Sequence, residues 1–205
     1  MKVTRHVPSE DIRRLGDIGF DEELRLAEAP QADYDSRRWL FVPCAYTEYR
    51  YLLGTRGEKP LICIGINPST ARPDALDPTL KSVERIALHA GYDSFIMMNV
   101  YPQRATDAND IDTECYRTLH EENMKAFSYA LGLSDTVWAA WGNLIEKRPF
   151  LRPCLRDMLE MGLSRHVQWV RCGSVSKKGH PHHPLYLPHD EPLMPFDAAG
   201  YLKTL

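Results

Sequence analysis

Four short apolar runs alternate with longer amphipathic segments from about residue 60 onward, and this alternation constrains the fold more than any other feature. The runs are Leu61 to Ile66, Ser94 to Tyr101, Thr136 to Trp141 and Val167 to Cys172. Continuous apolar runs of this length are typical of strands that are buried on both faces. Alternation of such strands with helices indicates a parallel sheet with right-handed crossovers and helices on both faces.

Helix signals fill the intervals between the predicted strands. Asp77 and Pro78 suit the N-cap and the first position of a helix, and Gly91 marks its end. The spacing of apolar residues predicts two more helices, from about Thr113 to Leu131 and from about Phe150 to Met161. The sequence therefore predicts an α/β fold, a three-layer αβα sandwich with a central four-stranded parallel sheet.

The two ends of the chain carry weaker signals. Arg38 to Pro43 and Tyr49 to Leu53 are interpreted as two strands of a small N-terminal antiparallel element. The segment after Lys177 is rich in Pro and His and is predicted to be a long ordered loop. The length of 205 residues, without internal repeats, predicts a single domain over residues 1–205 with an N-terminal extension of about residues 1–58.

The composition argues against several classes of protein. A formal net charge of −3 disfavours a general electrostatic attraction to nucleic acid, although a local basic groove is compatible with it. No apolar run is long enough to span a bilayer, and residues 1–10 lack the apolar stretch of a secretory signal. We therefore expect a cytoplasmic protein with no membrane partner, and the oligomeric state stays open.

The cysteines and histidines give little support for a metal centre. The five cysteines include no Cys-x-x-Cys pair, so most are interpreted as small core residues. The clustered histidines are His180, His182, His183 and His189. No His-Glu-x-x-His pair accompanies them, so we expect no metal and no cofactor. One of these histidines is instead interpreted as a hydrogen-bond donor to an anionic ligand.

Polar residues follow the carboxyl end of each predicted strand. In open parallel sheets, ligands bind in the crevice outside these ends. The candidates are Gly65, Asn67, Pro68 and Ser69 after the first strand, Asn99, Tyr101 and Arg104 after the second, Gly142 and Asn143 after the third, and His180 and His183 beyond the fourth. We therefore predict a ligand-binding site at this edge of the sheet.

Some of these residues also fit a structural interpretation. Asn67 before a Pro is typical of a turn, because the Asn side chain bonds its own backbone. Asn99 lies inside an apolar run, where its carboxamide needs partners in a core network or in a ligand. Trp138 and Trp141 are interpreted as core residues rather than stacking platforms. The basic residues that fit either a phosphate-facing rim or ordinary solvated charges are Arg72, Arg104, Lys177 and Lys178.

Four short motifs at these strand ends form a specific combination. They are Gly65-Ile66-Asn67-Pro68-Ser69, Met97-Met98-Asn99-Val100-Tyr101, Trp141-Gly142-Asn143 and His183-Pro184-Leu185-Tyr186. Together they resemble the bacterial family called domain of unknown function 1643, over roughly Trp39 to Leu187. The name of that family implies no activity.

The order of the segments is also similar, more distantly, to the uracil-DNA glycosylase superfamily. This resemblance implies a uracil-DNA-glycosylase-like fold and a hydrolase that acts on the N-glycosidic bond of a base in DNA or a nucleotide. It implies that Asn67 positions the attacking water and that Asn99 reads the edge of the base. Either His180 or His183 would stabilise the departing base anion. The sequence departs from the superfamily at Ser69, which replaces a Gly and is not followed by an aromatic ring.

The resemblance assigns provisional roles to the strand-end residues. The candidate catalytic residues are Asn67, His180 and His183. The candidate substrate contacts are Gly65, Pro68, Ser69, Asn99, Tyr101, Arg104, Gly142 and Asn143. Three functions follow as hypotheses: a glycosylase-like hydrolase, a non-catalytic binder of a nucleotide or other small polar ligand, and an interaction module with a vestigial pocket. The positions of Asn67, Asn99 and the C-terminal histidines motivate the first hypothesis, and the missing ring and the negative charge motivate the second. Between these two, nucleobase chemistry is preferred.

Overall fold

Seven strands and five α-helices make up the part of the chain that the computed structural model describes, residues 5–9, 11–16, 18–188 and 190–205. The strands are β1 (Trp39–Val42), β2 (Leu52–Thr55), β3 (Pro60–Gly65), β4 (Ser94–Asn99), β5 (Thr136–Ala139), β6 (Gln168–Cys172) and β7 (Leu193–Pro195). The α-helices are α1 (Phe20–Glu28), α2 (Pro78–His89), α3 (Arg117–Ala130), α4 (Leu151–Ser164) and α5 (Ala198–Leu202). Short 3-10 helices span Ile12–Arg14, Ala108–Asp110, Gly142–Glu146 and Pro184–Tyr186.

All seven strands belong to one mixed sheet, in the order β1-β2-β4-β3-β5-β6-β7. Strand β3 pairs in parallel with β4 and β5, and β5 pairs in parallel with β6. The other pairs, β1 with β2, β2 with β4 and β6 with β7, are antiparallel. The prediction of a four-stranded parallel sheet is therefore wrong. The predicted N-terminal antiparallel element is part of the main sheet, because β2 pairs directly with β4.

Helices pack on both faces of this sheet, because successive strand residues point to opposite sides. One face packs against α2 through Leu80, Val83 and Ile86. The other face packs against α1, α3, α4 and α5. The side chains of Trp138 and Trp141 are fully buried, one in each of the two cores, which agrees with their interpretation as core residues.

The ends of α2 agree with the sequence signals. Asp77 accepts a hydrogen bond from the Leu80 N–H at 2.9 Å and so caps the helix, while Pro78 occupies its first position. Gly91 follows the helix with a φ of 84°, a left-handed conformation that favours glycine. The capping pattern was thus sufficient to predict this helix.

Helix α3 begins at Arg117, later than the predicted start near Thr113. The backbone N–H of Tyr116 donates to the Tyr101 hydroxyl at 3.0 Å. This long-range bond ties the residue before the helix to the chain that leaves β4. Periodicity within the helix cannot reveal such a contact.

The C-terminal segment contains more regular structure than the predicted loop after Lys177. It includes the 3-10 helix Pro184–Tyr186, the strand β7 and the helix α5. Strand β7 has three residues and is mostly exposed, so it lacks the apolar signal of the buried strands. No helix in the described ranges combines the length and the apolar character needed to cross a bilayer.

The path of the chain opens a crevice beside β3. From β3 the chain passes through α2 to β4 on one side, and then through α3 to β5 on the other side of β3. Strands that are connected in opposite directions leave a crevice at their carboxyl ends, where α/β proteins bind ligands. The segments that follow β3, β4 and β5 therefore meet at one edge of the sheet.

Candidate ligand-binding site

A cavity of about 630 Å³ lies at the carboxyl ends of β3, β4 and β5. This volume is within the range of about 300–1,000 Å³ that is usual for small-ligand sites. The loop after β3, the start of α2, the loop after β5 and the segment around the 3-10 helix Pro184–Tyr186 form its walls. The lining residues with polar side chains are Arg50, Asn67, Ser69, Thr70, Asp77, Thr79, Asn99, Thr106, Trp141, Asn143, Ser176, His182 and His183.

The loop after β3 is held in place by its own polar groups. Asn67 Nδ2 donates to the carbonyl oxygen of Ala105 at 2.7 Å and to that of Pro68 at 3.1 Å. Ser69 Oγ lies 2.9 Å from Thr106 Oγ1. Both amide hydrogens of Asn67 are therefore used within the protein, one in this loop and one on the segment after β4, and its Oδ1 is the atom suited to accept a hydrogen bond from a ligand or a water.

Asn99 is the most unusual polar residue of the cavity. It ends β4 and is 1% exposed, and neither its Nδ2 nor its Oδ1 has a hydrogen-bond partner among the described residues. A Cβ at Gly65 would lie 3.0 Å from Asn99 Oδ1, so the absence of a side chain at Gly65 makes room for the carboxamide. Because buried polar groups are nearly always paired, the unpaired carboxamide makes Asn99 a candidate ligand contact.

The backbone of Asn99 is fixed from the opposite side. Asn123 on α3 is fully buried, and its Nδ2 donates to the carbonyl oxygen of Asn99 at 2.9 Å and to that of Val100 at 3.3 Å. Val100 N–H in turn donates to the carbonyl oxygen of Gly65. The backbone at the end of β4 is therefore held by hydrogen bonds, whereas the Asn99 carboxamide and Asn123 Oδ1 have no partner among the described residues.

Two arginines are buried beside the cavity. Arg50 lines it and Arg104 does not, and both Nη1 atoms donate to the carbonyl oxygen of Ala71, at 3.3 and 3.2 Å. Arg104 also donates to Ser69 O and lies over the Tyr46 ring, 4.2 Å from its centroid. Burial lowers the pKa of Arg50 to about 10 and that of Arg104 to about 9, and both remain charged at neutral pH.

His183 lines the cavity at the other wall. Its Nδ1 accepts a hydrogen bond from the Leu185 N–H at 3.4 Å, which leaves Nε2 to carry the proton of the neutral ring. Burial lowers the pKa of His183, while the Asp77 carboxylate opposes this shift. Gly142 has a φ of 63°, and a Cβ there would lie 3.3 Å from His183 Cβ. Because Nδ1 accepts the Leu185 N–H, the neutral ring of His183 is a hydrogen-bond donor at Nε2.

His180 lies outside the cavity lining, in a buried polar network below the loop after β5. Its Nδ1 is 2.7 Å from the Tyr201 hydroxyl and its Nε2 is 3.3 Å from Glu146 Oε1. The same Tyr201 hydroxyl accepts a hydrogen bond from Trp141 Nε1 at 3.0 Å. Both nitrogens of His180 are thus engaged within the protein.

The structure brings part of the predicted site together. The predicted residues that line the cavity are Asn67, Pro68, Ser69, Asn99, Gly142, Asn143 and His183, and those that do not are Gly65, Tyr101, Arg104 and His180. Asn143 is exposed and accepts a hydrogen bond from the Ser176 hydroxyl. The hydroxyl of Tyr101 is engaged with the backbone before α3.

The predicted basic rim is not part of the cavity wall. Lys178 pairs with Glu146, and Arg104 is fully buried. Arg72 forms an isolated bridge with Ala75, and Lys177 is exposed. Among the described residues, no group of three or more His, Cys, Asp or Glu is arranged to hold a metal ion. His189 of the histidine cluster lies outside the described residues.

Sequence reasoning missed Arg50 and the part that Asp77 plays in the cavity. Among the described lining residues, Arg50 is the only Lys or Arg and Asp77 is the only carboxylate. Arg50 interrupts the apolar run Tyr49 to Leu53. A polar or charged residue inside an otherwise apolar run is unusual, and Asn99 was identified by the same signal.

The fold and the cavity define an α/β protein with a candidate ligand-binding cavity at a topological switch point. The family model "Protein of unknown function (DUF1643)" matches residues 50–185, and the chain belongs to this family. The matched range begins at Arg50 and includes Asn67, Asn99 and His183. No curated protein and no solved structure gave a match.

Proposed function

We propose that the cavity binds a nucleobase and that the protein hydrolyses the N-glycosidic bond of that base, in a nucleotide or in DNA. The observation that carries this proposal is the Asn99 carboxamide, which is buried in the cavity wall without a partner at either polar atom. A carboxamide offers a donor beside an acceptor, which complements the acceptor and donor on the edge of a pyrimidine such as uracil.

The neighbouring groups suit the chemistry of this reaction. Asn67 Oδ1 is available to hold a water, because both amide hydrogens are used by the backbone carbonyls of Pro68 and Ala105. The water oxygen forms a bond to the sugar C1′ while the C1′–N bond breaks. The electron pair of the C1′–N bond leaves with the base, which becomes an anion. His183 Nε2–H is suited to stabilise the base anion, and the proton lost by the water finally neutralises that anion.

The order of the sequence segments, which distantly resembles that of uracil-DNA glycosylases, supports the same roles for Asn67 and Asn99. Asn67 follows β3 and Asn99 ends β4, and these strands are neighbours, with Gly65 opposite Asn99 in the register. Both carboxamides contribute to one cavity, as the reaction requires. A uracil-DNA-glycosylase-like fold is part of this proposal. Of the two histidines considered from the sequence, His183 suits the role better, because His180 is engaged with Tyr201 and Glu146.

The direct test is to measure base release from a panel of substrates. The panel includes nucleosides, nucleoside 5′-monophosphates, and single- and double-stranded oligonucleotides with uracil or mismatched bases, with released base measured by chromatography and mass spectrometry. We expect release from at least one class, and a decrease of roughly 100-fold or more in Asn67→Ala, in line with the loss of a group that orients a reactant.

Asn109→Ala is the matched control for this experiment. Asn109 is exposed and its side chain bonds only Asp107 next to it, so its loss should leave base release unchanged. Equal rates for Asn67→Ala and Asn109→Ala would contradict the role of Asn67. Absence of base release from every substrate class would refute the hydrolase.

Binding without hydrolysis is the second candidate function. It is favoured by the absence of an aromatic ring at residues 70–73 and by the packing of the Trp141 indole against Trp169, Phe196 and Tyr201. A base held without a stacking ring relies on hydrogen bonds. Tight binding of a nucleotide that is recovered intact would support this candidate over the hydrolase.

A further inference from the structure

Arg50 carries a positive charge that the protein does not neutralise directly. Its side chain is 1% exposed and lines the cavity, and its Nε has no hydrogen-bond partner among the described residues. Its Nη1 donates to a neutral acceptor, the carbonyl oxygen of Ala71. A buried guanidinium without an anionic partner is costly, so such a residue usually has a ligand to bind.

Arg104 adds to the positive charge at the same place. It is fully buried, its Nε and Nη2 also lack partners among the described residues, and it shares the Ala71 carbonyl with Arg50. Burial and the charge of Arg50 both lower the pKa of Arg104. Two guanidiniums therefore occupy one desolvated region, and the cost of that arrangement decreases when an anion binds.

The carboxylates nearby do not pair directly with either arginine. Asp77 lies on the cavity wall, but its Oδ1 accepts the Leu80 N–H as the cap of α2. Glu48 interacts with His6 and with the Ser9 hydroxyl. The charges of Asp77 and Glu48 raise the pKa of Arg104, but among the described residues no carboxylate forms an ion pair with Arg50 or Arg104. A bound anion would give Arg50 the hydrogen-bonded partner that it lacks.

The start of α2 adds a second source of positive potential. Pro78, Thr79 and Leu80 line the cavity at the helix N-terminus, whose dipole favours anions. Arg50 alone supplies the guanidinium of the wall, and a guanidinium binds phosphate oxygens with well-defined geometry. Because the Asp77 carboxylate already caps this helix end, Arg50 is the main source of attraction for an anion, and a guanidinium can hold a phosphate through two parallel hydrogen bonds.

We propose that the ligand of this cavity is a mononucleotide whose terminal phosphate is held by Arg50 while Asn99 binds its base. The assignment rests on the nucleobase function proposed above and narrows it to small nucleotides. Arg50 lines the cavity but is only 1% exposed, so a phosphate must enter the cavity to contact it. A terminal phosphate monoester can do this, whereas the phosphodiester backbone of duplex DNA stays at the protein surface. The net charge of −3 agrees with a small ligand rather than DNA.

The test compares uridine with uridine 5′-monophosphate, and inorganic phosphate with acetate, by isothermal titration calorimetry. If the protein releases base from these ligands, their dissociation constants are not measured at equilibrium. The kcat/KM values for the two ligands are then compared instead. The monophosphate should bind roughly 10- to 100-fold more tightly than the nucleoside, as expected for charge-assisted hydrogen bonds. Inorganic phosphate should compete with the monophosphate, and acetate at the same concentration should not.

Substitutions at Arg50 should remove this preference selectively. In Arg50→Gln the ratio of the affinity for the monophosphate to the affinity for uridine should fall below about threefold, and Arg50→Lys should retain part of this preference. Arg117→Gln is the matched control, because Arg117 is exposed on α3 and pairs only with Glu121. If Arg50→Gln does not fold, the affinities for uridine and its monophosphate are compared in the unmodified protein and in Arg50→Lys. That comparison still tests the phosphate site.

The outcomes separate this inference from the proposed function. Equal affinity for uridine and its monophosphate would overturn the phosphate site and leave base recognition intact. Phosphate binding that depends on Arg50, without any binding of uridine, would keep the phosphate site and reject base recognition. Acetate that competes as well as phosphate would overturn the assignment of the anion as a phosphate.

Discussion

His180 and His183 are close in sequence and lie in opposite environments. His180 is buried beside Tyr201 and Trp141 and also contacts the exposed Glu146, so both of its ring nitrogens have partners. His183 belongs to the cavity wall, together with Asn99, whose polar atoms have no described partner. The difference shows that a buried polar group with partners holds the fold, whereas unpaired polar atoms that lie in a cavity wall, as in Asn99, are candidates to contact a ligand.

The largest effect should come from Asn99→Ala, on the cavity side of the comparison. Two lost hydrogen bonds of about 1.5 kcal/mol each weaken nucleotide binding by roughly 100-fold. The free energy of unfolding should change by less than about 1 kcal/mol, because the carboxamide has no partner in the protein. Calorimetric titration and urea unfolding measure the two quantities.

Asn123→Ala serves as the matched comparison for Asn99→Ala. Asn123 donates to two backbone carbonyls, so its loss leaves those buried acceptors unpaired and lowers the free energy of unfolding by about 1–3 kcal/mol. A loss of stability in Asn99→Ala as large as that in Asn123→Ala would break the distinction between the two regions.

The next largest effect should come from Tyr201→Phe, on the network side. The hydroxyl accepts from Trp141 Nε1 and interacts with His180 Nδ1, so removing it leaves two buried groups without this partner. We expect unfolding to become easier by about 2 kcal/mol, with nucleotide binding changed less than threefold. Thermal and urea unfolding, paired with titration, give both values. Tyr92→Phe, before the amino end of β4, is the control and should have little effect.

A smaller effect on both quantities is expected for Gly65→Ala. The added Cβ would lie 2.6 Å from Met97 Cε and 3.0 Å from Asn99 Oδ1. The Met97 methyl can move, but the carboxamide must shift, so we expect binding to weaken by roughly fivefold and stability to fall by about 1 kcal/mol. Gly16→Ala, with nothing within 4 Å of the new Cβ, should change neither in the same assays.

The smallest effect is a pH dependence that His183 contributes. Burial lowers the pKa of His183 in the folded protein. The unfolded chain therefore binds the proton more readily when the pH falls through the unperturbed pKa of histidine, about 6.5. Stability should therefore decrease from pH 7.5 to pH 5.5, and less so in His183→Gln. His89→Gln, at an exposed position on α2, should keep the full dependence when urea unfolding is repeated at each pH.

Much of the fold follows from local sequence signals, and the exceptions have physical reasons. Strands β3 and β4 are buried at every residue, so their apolar runs are unmistakable. Strand β7 is short and mostly exposed and has no such run. The pairing of β2 with β4 is a long-range contact, so the sequence predicted the strands but not the mixed sheet.

The site was partly predictable for the same reason. Asn99 is recognisable because a carboxamide interrupts an apolar run, and Arg50 carries the same signal in the run from Tyr49 to Leu53. The separation of His180 from His183 was not predictable, because it depends on the placement of Tyr201 and Glu146 around one of them. Sequence spacing identifies the motif, and tertiary contacts decide which histidine lines the cavity.

The most direct test of base recognition is a crystal structure of the protein with uridine 5′-monophosphate or uracil bound. We expect the edge of the base to lie within hydrogen-bonding distance of both Asn99 Nδ2 and Asn99 Oδ1. A base bound elsewhere, or a cavity without base in which the Asn99 carboxamide pairs with protein groups, would contradict it.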